Sequence, residues 1–157
     1  MYQSHAIKSN TIGNQMSIDP KYWTEASATG GGRNGVSKLA DGKLTVTMTS
    51  PKELGGSGLG HNPEELFAMG YAACYLGAMR FAASSEKLGT VPETATVTAK
   101  VGMGPRSEGG FGLAVKLEVS MPGVPADVAA RIAERAHFIC PYSHFSRGGV
   151  TVETAVI

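Results

Sequence analysis

The stretch NPEELFAMGYAACYLGAMRFAASSEKLG, residues 62–89, decides how this chain folds. It opens as a helix start. Asn62 is a capping residue, Pro63 suits the first helical position, and Glu65 stands at capping-box spacing from Asn62. The pattern predicts a helix from residue 63 to about 88, with Gly89 as its C-terminal stop. Apolar and small residues run almost all the way round it, from Leu66, Phe67, Met69 and Gly70 through Ala73, Cys74 and Gly77 to Ala78 and Phe81. A helix apolar on every side sits inside a protein. Its Gly and Ala positions let another backbone come close, which an amphipathic surface helix does not need.

Upstream, residues 51–61 are a Gly-rich loop, and KLTVTMT (43–49) alternates Leu44, Val46 and Met48 against threonines, as a half-buried strand does. GGGRNG (30–35) is turn chemistry, and a strand is expected before it, near 22–29. Downstream, strands are predicted at 94–102 and 113–121, joined as a hairpin through Pro105 and Gly109-Gly110. A second helix follows over 125–138, with Val128, Ala129, Ile132 and Ala136 on one stripe, and Cys140-Pro141 ends or redirects it. Residues 150–157 alternate as a closing strand. The order predicts an α+β fold, with helices segregated from mostly antiparallel sheets. Residues 1–15 show no clear period and precede an internal Met16, so they are read as a loose extension or cloning remnant outside a single domain spanning 16–157.

At 157 residues the chain has the length of one ordinary domain, and 42% hydrophobic against 17% charged residues excludes a disordered chain. So little charge implies that another copy of the chain covers part of the surface. A net charge of +1 gives no attraction to nucleic acid or to anionic membranes. No apolar run approaches the ~18 residues of a membrane span. The N-terminus lacks the pattern of a signal peptide, which makes the cytoplasm the expected location. In such a reducing compartment the two cysteines, Cys74 and Cys140, are not expected to form a permanent structural bridge.

Cys74 falls near the middle of the predicted helix. Apolar burial there raises a thiol pKa, and the helix dipole fades beyond the first turn. A reactive Cys74 therefore needs a cation from elsewhere. Arg33, on its Gly-rich turn, is the candidate, because a guanidinium stays charged when partly buried. Glu64 would fix that guanidinium by a bidentate pair. Each residue also has an ordinary explanation: Cys74 as a small core residue, Arg33 as a solvated turn residue, Glu64 as a carboxylate favoured at a helix start.

Four segments in order carry a resemblance: TGGGRNG (29–35), PKELGG (51–56), NPEELFAMGYAACYLGA (62–78) and CPYSHFSRG (140–148). Together they resemble the organic hydroperoxide resistance (Ohr) proteins of the OsmC/Ohr superfamily, over about residues 20–157. The resemblance implies a cysteine peroxidase of organic hydroperoxides, fatty-acid hydroperoxides included. Cys74 matches the peroxidatic cysteine and Cys140 the resolving one. Arg33 matches the arginine that activates the thiolate, and Glu64 matches its carboxylate partner. The resemblance further implies an intertwined homodimer with active sites at the subunit interface. No metal or flavin cofactor is implied; the electrons come from an external dithiol, typically a lipoylated protein. Met69, His144-Phe145 and Gly149 depart from the usual pattern and bear on pocket shape.

Alternatives remain at this level. His137, Cys140 and His144 lie close enough in sequence for metal binding, although Pro141 breaks their register. An OsmC-type peroxidase with another peroxide preference is a second alternative. A non-catalytic dimer that binds apolar ligands or senses oxidant is a third. One geometric point bears on all of them. Glu64 and Cys74 are ten residues apart, ~15 Å along a continuous helix, and the Glu64 side chain leans further away. The spacing predicts that Cys74 and Cys140 of one chain meet Glu64 of the other, with Arg33 assignable to either.

Overall fold

The computed structural model describes residues 5–8, 18–148 and 153–156. The helix predicted at 63–88 is α1, Pro63–Ser85. Its start is the expected capping box: the Asn62 side chain accepts from the Glu65 amide at 2.9 Å, and the Asn62 amide donates to the Glu65 carboxylate at 3.3 Å. Its end differs from expectation. Leu88 N–H donates to Ala83 O at 2.9 Å and Lys87 N–H to Ser84 O at 3.3 Å. This is a Schellman closure with Lys87, at φ 53°, in the left-handed position that glycine usually takes. Gly89 lies beyond it.

The inner face of α1 is buried at Tyr71, Tyr75, Ala78, Met79, Ala82 and Ala83. It packs against strand β5 and helix α2, defined below. The outer face is not buried in the single chain: Met69 is 71% exposed and Phe81 62%, with Ala73 and Gly77 exposed between them. The helix read as apolar all round is thus covered on one side only. By length and composition α1 is apolar enough to cross a membrane, although its uncharged run, residues 66–79, is shorter than a span and a core helix meets the same description.

Strands β2 (Ala26–Thr29), β3 (Val36–Leu39) and β4 (Thr45–Thr47) form an antiparallel sheet in that order. Two of these strands are shorter than read. Tyr22 and Trp23, placed in the first, are almost fully exposed, and Leu44, placed inward, is half exposed beside buried Val46 and Met48. Leu44 lies just before β4, at the end of the sheet where its backbone carbonyl accepts from Leu39 N–H, and outside the buried stretch that begins at Val46. The downstream hairpin is as expected: β5 (Thr96–Pro105) pairs antiparallel with β6 (Phe111–Ser120), Thr96 opposite Ser120 and Pro105 opposite Phe111. Gly109 and Gly110 take the left-handed turn positions.

Helix α2 spans Ala126–Ile139 and buries Ile132 and Ala136. Cys140-Pro141 redirects the chain rather than ending it. Pro141 becomes the first residue of a short helix, α3 (Pro141–Ser146), which sequence reading did not foresee. The last strand is β7, Glu153–Val156, which pairs antiparallel with β1, His5–Lys8. That pairing gives four residues of the 1–15 stretch a place in a sheet; the rest of 1–15, Met16 and Gly149 lie outside the described residues. The architecture is α+β with antiparallel sheets around one long helix, and its core joins Tyr75, Met79, Ile132, Ala136 and Cys140. Full burial of a side chain such as Met79 or Ile132 stabilises by ~1.5–3 kcal/mol.

The two ends of α1 give opposite expectations. Asn62→Ala removes the cap and should lower the unfolding free energy by about 1 kcal/mol. Lys87→Gly relieves a left-handed residue worth ~1–2 kcal/mol while adding ~0.5–1 kcal/mol of chain entropy. A net gain of about 0.5–1 kcal/mol should appear in urea titrations.

Candidate active site

Arg33 sits in a tight turn, Gly32–Asn34, behind three glycines at positive φ. The turn is held from two sides. A Cβ on Gly35 would stand 2.0 Å from the Thr29 carbonyl oxygen, so only glycine fits there. Asn34 Oδ1 accepts from the Ser50 amide at 3.0 Å, which ties the turn to the Pro51–His61 loop. Sequence reading missed Asn34; an Asn after a Gly-rich run gave only a turn signal.

From this turn the guanidinium reaches the first turn of α1. Arg33 Nη1 donates to Glu64 Oε1 at 3.0 Å and Nη2 to Oε2 at 2.5 Å, the bidentate fork that was expected. The hydrogen bonds from Arg33 hold the Glu64 carboxyl below its ordinary range, against the burial that pushes it up. The same bonds raise the Arg33 pKa, so the guanidinium stays charged. Glu64 also borders a cleft of about 500 Å³ with Pro51, Leu54, Ala68 and Met103, and neither cysteine lines it.

The cysteines form a second pair. Cys74 Sγ lies 3.4 Å from Cys140 Sγ, both as free thiols. Cys74 is half-buried; Cys140 is fully buried. Burial pushes the Cys74 thiol up, and the neighbouring Cys140 adds to this. The backbone amide of Tyr142 acts the other way and draws it down. This amide belongs to α3, the element that the sequence did not reveal.

Around the sulfurs the packing is aromatic and hydroxylic. Tyr142 stacks on Phe67 with centroids 5.6 Å apart and leans on Tyr71 at 5.6 Å. Tyr71 Oη and Ser143 Oγ are hydrogen-bonded at 2.9 Å, and Ser143 Oγ lies 3.2 Å from His137 Nδ1. Burial, then the charge of Arg147, lowers the His137 pKa, so the ring is neutral near pH 7. Tyr75, pushed up to about 12 chiefly by burial, donates to Ala133 O at 2.6 Å and pins α1 to α2. Of the other pocket candidates, Met69, Phe138 and Phe145 are exposed in the single chain. Among the described residues no three His, Cys, Asp or Glu side chains are grouped to hold a metal ion, His137, Cys140 and His144 included.

The four expected site residues thus fall into two pairs: Arg33 with Glu64, and Cys74 with Cys140. Among the described residues no hydrogen bond joins one pair to the other. Arg33→Ala should return the Glu64 carboxyl toward the ordinary carboxylate range in an NMR titration. The sign for stability follows. A carboxyl with a depressed folded pKa stabilises the fold above its unfolded pKa and loses that contribution as pH falls through the folded one. Wild type should lose stability in acid more steeply than Arg33→Ala.

The OsmC-like protein family matches residues 55–155 of this chain. An organic hydroperoxide resistance protein of Xanthomonas axonopodis pv. citri is 42% identical over 132 residues, covering 83% of this chain and 91% of that protein. The crystal structure of an organic hydroperoxide resistance protein from Legionella pneumophila superposes with a TM-score of 0.76 at 40% identity, over 84% of this chain and 94% of that one. One from Elizabethkingia anophelis does so with a TM-score of 0.76 at 44% identity, over 83% and 92%. The chain therefore belongs to the OsmC-like family, on its organic hydroperoxide resistance (Ohr) branch.

Proposed function

We propose that this protein is a cysteine peroxidase that reduces organic hydroperoxides, fatty-acid hydroperoxides among them, and so protects against organic peroxide stress. The observation that carries the reading is the 3.4 Å approach of Cys74 and Cys140 sulfurs, one half-buried and one enclosed, in a chain whose relatives are named for organic hydroperoxide resistance. Cys74 as thiolate attacks the distal peroxide oxygen. The O–O bond breaks, the alkoxide takes a proton and leaves as alcohol, and Cys74 becomes a sulfenic acid. Cys140 then displaces the sulfenic oxygen as water and closes a disulfide. An external dithiol, a lipoylated protein in this reading, restores both thiols by exchange.

Burial alone leaves Cys74 a poor thiolate, so the reading requires Arg33. Arg33 and Glu64 are joined to each other but not to Cys74 of the same chain. We place them against the Cys74 of a second copy, in a homodimer with two composite sites. The outer face of α1 supports this. Met69, Ala73, Gly77 and Phe81 form an exposed stripe, and a Cβ on Gly77 would meet nothing within 4 Å among the described residues. The sheet β2–β3–β4, scarcely buried by its own chain, would gain cover from the same partner.

A second reading has one observation in its favour. The raised Cys74 pKa suits a non-catalytic module that binds apolar ligands. A peroxidase assay with a dithiol reductant separates the two. Cys74→Ser should abolish turnover of cumene hydroperoxide, and Cys140→Ser should consume about one equivalent; full activity in Cys74→Ser would sink the enzyme. Faster turnover of hydrogen peroxide than of cumene hydroperoxide would instead indicate an OsmC-type preference.

The composite site has its own test. Cys74→Ser and Arg33→Ala chains are co-expressed with different tags and purified as the mixed dimer. If Arg33 serves the partner's sulfur, one of the two sites is intact, and about half the wild-type activity returns. If each site lies within one chain, both sites are broken and no activity returns.

A further inference from the structure

Gly70 stands in the interior of α1, where glycine costs ~0.5–1 kcal/mol relative to alanine. Something must favour it there. A Cβ at position 70 would lie 2.8 Å from Tyr142 Oη and 3.2 and 3.3 Å from two ring carbons. Contacts under 3.0 Å require that something shift. The Tyr142 ring has little freedom to do so, since Phe67 stacks on one face and Tyr71 crowds it at 5.6 Å.

Tyr142 is two residues from Cys140, and the link is stiff. Pro141 fixes its own φ. Cys140 N–H donates to Ala136 O at 2.8 Å, and His144 N–H donates to Cys140 O at 3.0 Å, so the corner is tied to both α2 and α3. The seat of the Tyr142 ring on α1 therefore sets where the Cys140 sulfur lies relative to Cys74, one helical turn beyond Gly70.

We propose that Gly70 is a positioning residue for the resolving step: by admitting the Tyr142 ring against α1, it holds Cys140 at reacting distance from the oxidised Cys74. This rests on the reading of Cys74 and Cys140 as a redox pair. In that step the Cys140 sulfur bonds to the Cys74 sulfur, the S–O bond of the sulfenic acid breaks, and the oxygen departs as water with the Cys140 proton. The sulfurs close from 3.4 Å to a bond of ~2.05 Å. A misplacement of ~1 Å in such a step costs about a hundredfold in rate. Gly70→Ala cannot displace the ring without moving that corner.

The test uses the full chain and two readouts. In single-turnover reactions with cumene hydroperoxide, Gly70→Ala should close the disulfide about tenfold or more slowly than wild type. Its sulfenic acid should be trapped by dimedone for correspondingly longer. Without any peroxide, equilibration with dithiothreitol should show the Cys74–Cys140 disulfide about tenfold less favoured, a shift of ~30 mV. Adding Tyr142→Phe removes the atom nearest the new methyl, and Tyr142 Oη makes no hydrogen bond among the described residues. The double variant should therefore recover most of both losses, which a general effect of alanine on the helix would not. If Gly70→Ala fails to fold, Tyr142→Ala, which unseats the ring directly, should slow the same step. Unchanged disulfide closure in a folded Gly70→Ala, or a loss that Tyr142→Phe does not rescue, overturns the inference. If wild type consumes no hydroperoxide while Gly70→Ala still disfavours the disulfide against dithiothreitol relative to wild type, the proposed function fails and the positioning of Cys140 by Gly70 stands.

Discussion

The packing of the inner face of α1 against α2 and α3 is the constraint on which the sulfur chemistry depends. Tyr75 reaches across to the Ala133 carbonyl, Met79 and Ile132 are fully buried beside it, and Tyr71 is bonded to Ser143. These contacts fix two helices that come from distant parts of the chain. Cys74 lies on one and Cys140 at the corner of the other. The Tyr142 amide of α3 reaches the Cys74 sulfur, and the 3.4 Å separation of the two sulfurs follows from how the helices seat. A closely packed interior transmits small displacements instead of absorbing them. That is why a methyl group at position 70 matters to a sulfur one turn away.

Electrostatics sets a second demand that the single chain does not meet. Burial raises the Cys74 pKa, and one amide from Tyr142 opposes it. An amide is a weak substitute for a full charge. A cation ~4 Å away is worth about 4 kcal/mol at an effective dielectric constant of ~20, and each pKa unit is ~1.36 kcal/mol. A charge of that kind opposes the burial that raises the Cys74 thiol and favours its thiolate. Arg33 has the required charge, and Glu64 orients it while partly neutralising it. The proposed dimer would bring these separated pairs together.

How much of this was legible in the sequence follows the range of each interaction. The capping box of Asn62 and Glu65 is local, and it was readable residue by residue. So was the β5–β6 hairpin, whose turn glycines and alternation lie within one stretch. The Schellman closure at Lys87 was not, because a lysine in the left-handed region violates the preference that made Gly89 the natural choice. Helix α3 was hidden by Pro141, which reads as a stop after α2 and acts as a start for the next helix. Leu44 was misplaced because alternation does not mark where burial begins: the strand starts at Thr45, and Leu44 lies before it, half exposed. The pairing of Arg33 with Glu64 was expected from residue chemistry. The Asn34–Ser50 bond that steadies it was not, since a sixteen-residue separation leaves no trace in local pattern.

The glycines of α1 separate the two surfaces that this helix must satisfy. Gly70 is explained inside the chain, by the tyrosine that occupies the space where its side chain would be. Gly77, two turns further on, has open space around it and finds no reason in the same chain. Both carry the same helical penalty, so an account that explains one and not the other is incomplete. A second α1 crossing at Gly77 would supply the missing reason, as small residues permit backbones to approach. It would also cover Met69 and Phe81, which the single chain leaves exposed. The inner glycine thus answers to a tyrosine of its own chain, and the outer one to a surface that this chain leaves uncovered.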